Sequence, residues 1–170
     1  IVRGTTLKQS ITKMMDRLHP KKIVVVSSAP QIRYPDCYGI DMAKLEGLVA
    51  FRAALDLLKE RNLYHIVEEV YQKSKAQEDF SDADVVNYVK EIYAPFTDQE
   101  ISDKIAEMLT PDDTNAEVKI IYQTVADLHV ACPKNLGDWY FTGDYPTDGG
   151  NRVVNRAFMN FYEGKDARAY

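Results

Sequence analysis

Ile1-Val2-Arg3-Gly4-Thr5-Thr6 opens the chain with the residue types of an anion site. Gly4 lets the backbone bend close to a ligand. Thr5 and Thr6 add hydroxyls and suit a helix N-terminus, where the free amides of the next turn point at an anion such as a phosphate. The same residues also make an ordinary helix cap, so the rest of the chain must decide between the two. Other reactive side chains are sparse. His19, His65 and His129 each fall in helical segments without a matching partner, and no Ser/His/Asp constellation is visible. Cys37 and Cys132 lack Cys-x-x-Cys spacing and read as reduced thiols. No residue is assigned as catalytic, and none as a metal ligand.

The elements that must position the hexapeptide are read from periodicity. Leu7, Ile11, Met14, Met15 and Leu18 recur at helical spacing, predicting a helix from Thr6 to Leu18 with one buried face, ended by His19-Pro20. Ile23-Val24-Val25-Val26 is a continuous β-branched run, the pattern of a parallel strand buried on both faces. Ser27-Ser28-Ala29-Pro30 puts a loop at its carboxyl end, where ligands sit in open α/β sheets. An irregular connection over Tyr34–Asp41 leads to a helix carrying Leu45, Leu48, Val49, Ala53, Leu55 and Leu58, with Asp41 as its candidate cap.

Residues 62–117 change character: acidic, helical throughout and without recognisable chemistry. One helix is predicted around Leu63–Tyr71, and a second from a cap at Ser81 or Asp82 to just before Pro95. A third starts at the capping box Thr97-Asp98-Gln99-Glu100. Lys119-Ile120-Ile121-Tyr122 then predicts a second strand, with a helix through Val125, Leu128 and Val130. Residues 133–150 mix Trp139, Tyr140, Phe141 and Tyr145 with glycines, and a last helix over 151–163 ends at Gly164. The chain divides on this reading into an α/β part (1–61), a helical insertion (62–117) and a resumed α/β part (118–170).

With 170 residues, 45% of them hydrophobic and 28% charged, the chain is long enough for one domain with a proper core. Its net charge of −5 and pI near 5.2 argue against a nucleic-acid footprint. No apolar run reaches membrane-spanning length and no signal-peptide pattern opens the chain, so a cytoplasmic location is expected. The sequence begins at Ile1 rather than Met and reads as a fragment of a longer protein.

Several stretches together resemble the amidophosphoribosyltransferases, the glutamine-dependent enzymes of the first committed step of purine synthesis. Ile1-Val2-Arg3-Gly4-Thr5-Thr6 is similar to the end of their phosphoribosyl-pyrophosphate (PRPP) loop. Ser28-Ala29-Pro30-Gln31-Ile32-Arg33-Tyr34-Pro35 and Tyr38-Gly39-Ile40-Asp41-Met42 resemble the strand end and turn that come after that loop in the family. Ile121-Tyr122-Gln123 and Phe141-Thr142-Gly143-Asp144-Tyr145-Pro146-Thr147 match later segments, and residues 62–117 are skipped. The resemblance implies the C-terminal portion of a type I phosphoribosyltransferase fold, a parallel sheet with helices. It makes Val2, Arg3, Gly4, Thr5 and Thr6 the binding residues for the 5′-phosphate of PRPP, and gives Leu48 a place lining an ammonia channel, although a plain core leucine explains Leu48 equally well. It implies Mg²⁺ with PRPP in the full-length enzyme, an N-terminal glutaminase domain as partner, ammonia derived from glutamine, and a homo-oligomer, with neither nucleic acid nor membrane as partner.

Three departures matter. The glutaminase domain and the acidic half of the PRPP motif are missing, so the fragment alone is expected to be inactive. Some members hold an iron–sulfur cluster on cysteines whose matching positions here are Asp36, Gly137 and Tyr140, with Cys37 one residue out of register. Those side chains supply no thiolate, and no cluster is expected. The helical insertion is the third. The alternative reading is a PRPP-sensing module of the same fold without catalysis, as in some repressors, which the acidic balance disfavours where DNA is concerned.

Overall fold

The computed structural model describes residues 1–36, 42–135 and 137–169. It is α/β: two parallel strands and a larger complement of helices. Strand β1 (Lys22–Ser27) pairs with β2 (Glu117–Tyr122), Ile23 opposite Val118 and Val26 opposite Ile121. Both predicted strands form, and β1 is parallel, as its β-branched run predicts.

Their burial differs from the expectation. Ile23 and Ile120 face the core, while Val24, Val26 and Ile121 on the opposite face are 47%, 71% and 43% exposed. A strand run apolar on both sides needs a layer on each, and among the described residues only one side is covered. The first helix shows the same mismatch. A π-turn over Leu7–Ile11 runs into α1 (Thr12–Asp16), and the helix ends where His19 turns to φ 51° before Pro20. Of its predicted buried face, Leu7 is buried, whereas Ile11, Met14, Met15 and Leu18 are exposed. The helix end is tied down by the Asp16 carboxylate, which accepts the backbone N–H of Ala116 (2.9 Å) and Asn115 (3.1 Å). Those bonds, Ala116 first, hold its pKa below the usual value.

Helix α2 (Val49–Glu60) is the centre of the core, with Val49, Ala50, Phe51, Ala53, Ala54, Leu57 and Leu58 buried. It starts with Leu48 at its N-cap position, after a 3₁₀ turn at Leu45–Gly47, so the cap is not the predicted Asp41. Asp41, with Cys37, Tyr38, Gly39 and Ile40, lies outside the described residues. Phe51 meets Phe158 and Phe161 edge-on, with ring centroids 6.2 and 5.0 Å apart.

The segment 62–117 forms α3 (His65–Lys75), a 3₁₀ turn at Asp82–Asp84, α4 (Lys90–Tyr93) and α5 (Asp98–Leu109). Thr97 and Glu100 make the predicted capping box. The second predicted helix is cut to the four residues of α4, because side chains satisfy the backbone where it would have begun. Gln77 brackets Val86, accepting its N–H (2.8 Å) and donating to its carbonyl (3.1 Å). Asn151 and Asn155 donate to the carbonyls of Val85 and Val86, each at 2.8 Å. With those groups paired, no helix is needed to pair them. Val67, Val70, Val89, Ile92, Ile101, Ile105 and Leu109 enter the same hydrophobic cluster as α2, and α5 packs on both α2 and β2.

Helix α6 (Val125–Ala131) comes after β2, capped by the Thr124 hydroxyl on Asp127 N–H. A short α7 (Trp139–Thr142) interrupts the aromatic-glycine stretch. Helix α8 (Asp148–Tyr162) closes the fold and packs on α3. It ends as predicted at Gly164, which takes φ 66° while Lys165 N–H reaches back to the Asn160 carbonyl at 2.8 Å. No helix among the described residues is long and apolar enough to cross a membrane.

Candidate phosphate-binding site

Helix geometry sets the hexapeptide's chemistry. Gly4 has φ 75°, in the left-handed region, and its carbonyl accepts the N–H of Lys8 at 3.0 Å, starting the first helical turn. Thr5 and Thr6 fall inside that turn. Thr6 has helical dihedrals and makes no side-chain cap, so it is a first-turn residue and not a capping one. Both threonines are exposed. The opening amides of a helix have no partner within it and carry the positive end of its dipole. Here they open beside a cavity of about 470 Å³ lined by Ile1–Leu7, Ile11 and Val25.

Two helices hold the hexapeptide from behind. Val49 N–H, at the start of α2, donates to the Val2 carbonyl at 2.8 Å, and Arg52 Nη2 donates to the Arg3 carbonyl at 2.8 Å. From α5, the Leu109 side chain lies so close under Gly4 that a Cβ there would stand 2.5 Å from its methyl groups. Lys8 Nζ reaches the Met108 carbonyl at 2.8 Å. Leu48, one residue before Val49, is fully buried in the core.

The other motifs gather at a different place. Arg33 and Tyr34 both donate their N–H groups to the Tyr140 carbonyl, at 2.9 and 3.1 Å. The Trp139 indole donates to Asp36 Oδ2 at 2.6 Å, and the Tyr145 hydroxyl donates to the Pro35 carbonyl. The strand-end motif is thereby stitched to the Phe-Thr-Gly segment, and Asp36 and Tyr140 are drawn into one patch. Gln31 is buried and donates to Asp98 O (2.7 Å) and Ser102 Oγ (2.8 Å), while Arg33 pairs with Asp98. A cavity of about 240 Å³ lies at the carboxyl ends of both strands, lined by Gln31, Arg33, Tyr122, Gln123, Thr124 and Phe141 among others.

Of the histidines, His129 does find an acid: its Nε2 lies 3.1 Å from Asp138 Oδ2. Cys132 is an exposed free thiol. Among the described residues no group of three or more His, Cys, Asp or Glu side chains is arranged to hold a metal.

Sequence reasoning missed Arg52, Leu109 and Lys8. An arginine on the polar side of an amphipathic helix carries no signal of the carbonyl it will meet 49 positions away. Leu109 reads as one more apolar residue of α5.

Comparison with known proteins gives partial matches under one name. The chain is 47% identical over 60 residues to the amidophosphoribosyltransferase of Haemophilus influenzae, covering 35% of this chain and 12% of that protein. It is 42% identical over 60 residues to the Escherichia coli protein of that name, with 35% and 12% covered. The Saccharomyces cerevisiae protein of the same name matches at 31% over 136 residues, 75% of this chain and 26% of the relative. That share exceeds what lies outside residues 62–117, so the similarity runs into the helical segment and does not skip all of it. No protein-family model matches the chain, and no solved structure matches it. The chain is therefore similar, over regions amounting to 12–26% of their length, to proteins named amidophosphoribosyltransferase.

Proposed function

We propose that this chain is the C-terminal part of the phosphoribosyltransferase domain of an amidophosphoribosyltransferase, with Val2, Arg3, Gly4, Thr5 and Thr6 taking the 5′-phosphate of PRPP. The reading rests on one observation above all. A left-handed Gly4 leads directly into a helix whose first-turn threonines are exposed, in a chain whose curated matches carry that name. A dianionic phosphate at that terminus gains from the free amides and from the helix dipole together.

In the whole protein, ammonia released from glutamine attacks C1 of PRPP. The new C–N bond forms as the C1–O bond to pyrophosphate breaks, giving 5-phosphoribosylamine, and the ammonia nitrogen sheds a proton. The substrate ionises toward an oxocarbenium ion, so the work of the site is binding and orientation. The hexapeptide contributes by anchoring the far end of the substrate. We assign no catalytic residue to this chain. Mg²⁺ belongs with the pyrophosphate of the substrate, and no residue of this chain is assigned to it. We expect no iron–sulfur cluster, a cytoplasmic location, and a homo-oligomer of the whole protein. The fold reading extends to a type I phosphoribosyltransferase sheet, supported by the parallel β1–β2 pair.

The test is an assay of PRPP- and glutamine-dependent pyrophosphate release. The protein expressed from its complete gene is expected to turn over, and the 170-residue chain alone is not. A complete protein without PRPP-dependent turnover overturns the reading, and turnover by the isolated chain overturns its fragment part.

A further inference from the structure

The amides of a phosphate cradle bind only if they are aimed, and the aiming groups can be read from the backbone. A peptide unit is planar and trans, so fixing its carbonyl oxygen fixes the direction of the N–H on its other side. The Val2 carbonyl is held by Val49 N–H and the Arg3 carbonyl by Arg52 Nη2, each at 2.8 Å, and both donors belong to the first turn of α2. The two carbonyls therefore point toward α2, which turns the N–H groups of Arg3 and Gly4 away from it. Successive amides turned to one side form an anion-binding concavity. The Val49 contact is backbone to backbone. The Arg52 contact depends on a side chain, exposed on the helix surface, that bridges 49 positions of sequence to reach this carbonyl.

We infer that Arg52 is a positioning residue of the phosphate site: its guanidinium holds the Arg3 carbonyl and so aims the Gly4 N–H at the ligand. The inference rests on the proposed phosphate role of the hexapeptide. Arg52 has no role in the core, so its loss acts on the cradle rather than on folding. A cationic donor also polarises the peptide it binds, which strengthens the N–H on the far side as a donor. Gly4 is held from beneath by Leu109, so once the Arg3 carbonyl is fixed the loop has no room to relax downward.

The experiment is a titration of PRPP into wild type, Arg52→Met and Arg52→Lys, monitored by the ³¹P linewidth of the 5′-phosphate, with a thermal melt of each protein alongside. Arg52→Met keeps the aliphatic stem and removes the donor. It is expected to weaken PRPP binding roughly threefold to tenfold, about the net worth of one ordinary intramolecular hydrogen bond, with at most a small shift in Tm. Arg52→Lys retains one donor and is expected to recover most of the affinity. Equal affinity in wild type and Arg52→Met, or an equal loss in both variants, overturns the positioning role. A wild-type chain that leaves the 5′-phosphate line unbroadened contradicts the phosphate reading itself, and the positioning role with it.

Discussion

Gly4 carries two demands that only glycine meets. Its φ of 75° strains any residue with a side chain, and its Cβ position is already taken by Leu109. Gly4→Ala combines left-handed strain with overpacking and is expected to cost about 2–4 kcal/mol in urea unfolding, with loss of phosphate binding. An unfolding midpoint equal to that of wild type would show that the loop is not held by these contacts. Glu100 offers a test through pH. The Thr97 N–H, then the Arg61 guanidinium and the Thr97 hydroxyl, hold its carboxyl at about 2. A folded value below the unfolded one means the ionised group stabilises the protein above the unfolded pKa, and that contribution is lost as pH falls through the folded one. Glu100→Gln therefore lowers Tm at neutral pH, and its gap from wild type closes as the medium is acidified from about pH 4.5 to about 2. A gap that persists unchanged to about pH 2 counts against the assignment.

At the scale of elements, what could be read from sequence is what local chemistry decides. The Thr97–Glu100 capping box, the glycine stop of α8 and the two β-branched strands are settled within a few residues, and each stands where it was expected. The shortening of the helix before Pro95 was not legible, since it depends on Gln77, Asn151 and Asn155 reaching the backbone of Val85 and Val86 from distant parts of the chain. The same applies to the cradle. Its glycine and threonines announce a helix start, but nothing in the spacing of Arg52 or Leu109 says that α2 and α5 would close behind it. The aromatic-glycine stretch is held by a contact that can be removed singly. Trp139→Phe deletes the indole donor to the buried Asp36 carboxylate and should cost about 1–3 kcal/mol by loosening α7 from the segment after β1. Chemical denaturation that finds the variant as stable as wild type would rule out that stitch.

For the whole molecule, the periodicities of α1 and β1 state truthfully that their faces are apolar. They do not state what covers them. Leu18 is 74% exposed, and Val26 and Ile121 stand side by side on the open face of the sheet. A surface of this kind is expected to bind an apolar dye in the native state. Val26→Lys is expected to lower dye binding without lowering Tm, because the side chain it replaces is mostly in water already. Unchanged dye binding would place the exposed apolar surface elsewhere. Helix α5, by contrast, is drawn into the site's support, packing on α2 and β2 and placing Leu109 under Gly4. The helical segment is thus part of the frame that shapes the cradle. The most direct test of the central claim is an amide-resolved NMR titration of this chain with PRPP. Saturable shifts centred on the N–H groups of Gly4, Thr5 and Thr6 are the predicted result, and shifts absent there while present at the carboxyl ends of β1 and β2 would contradict it.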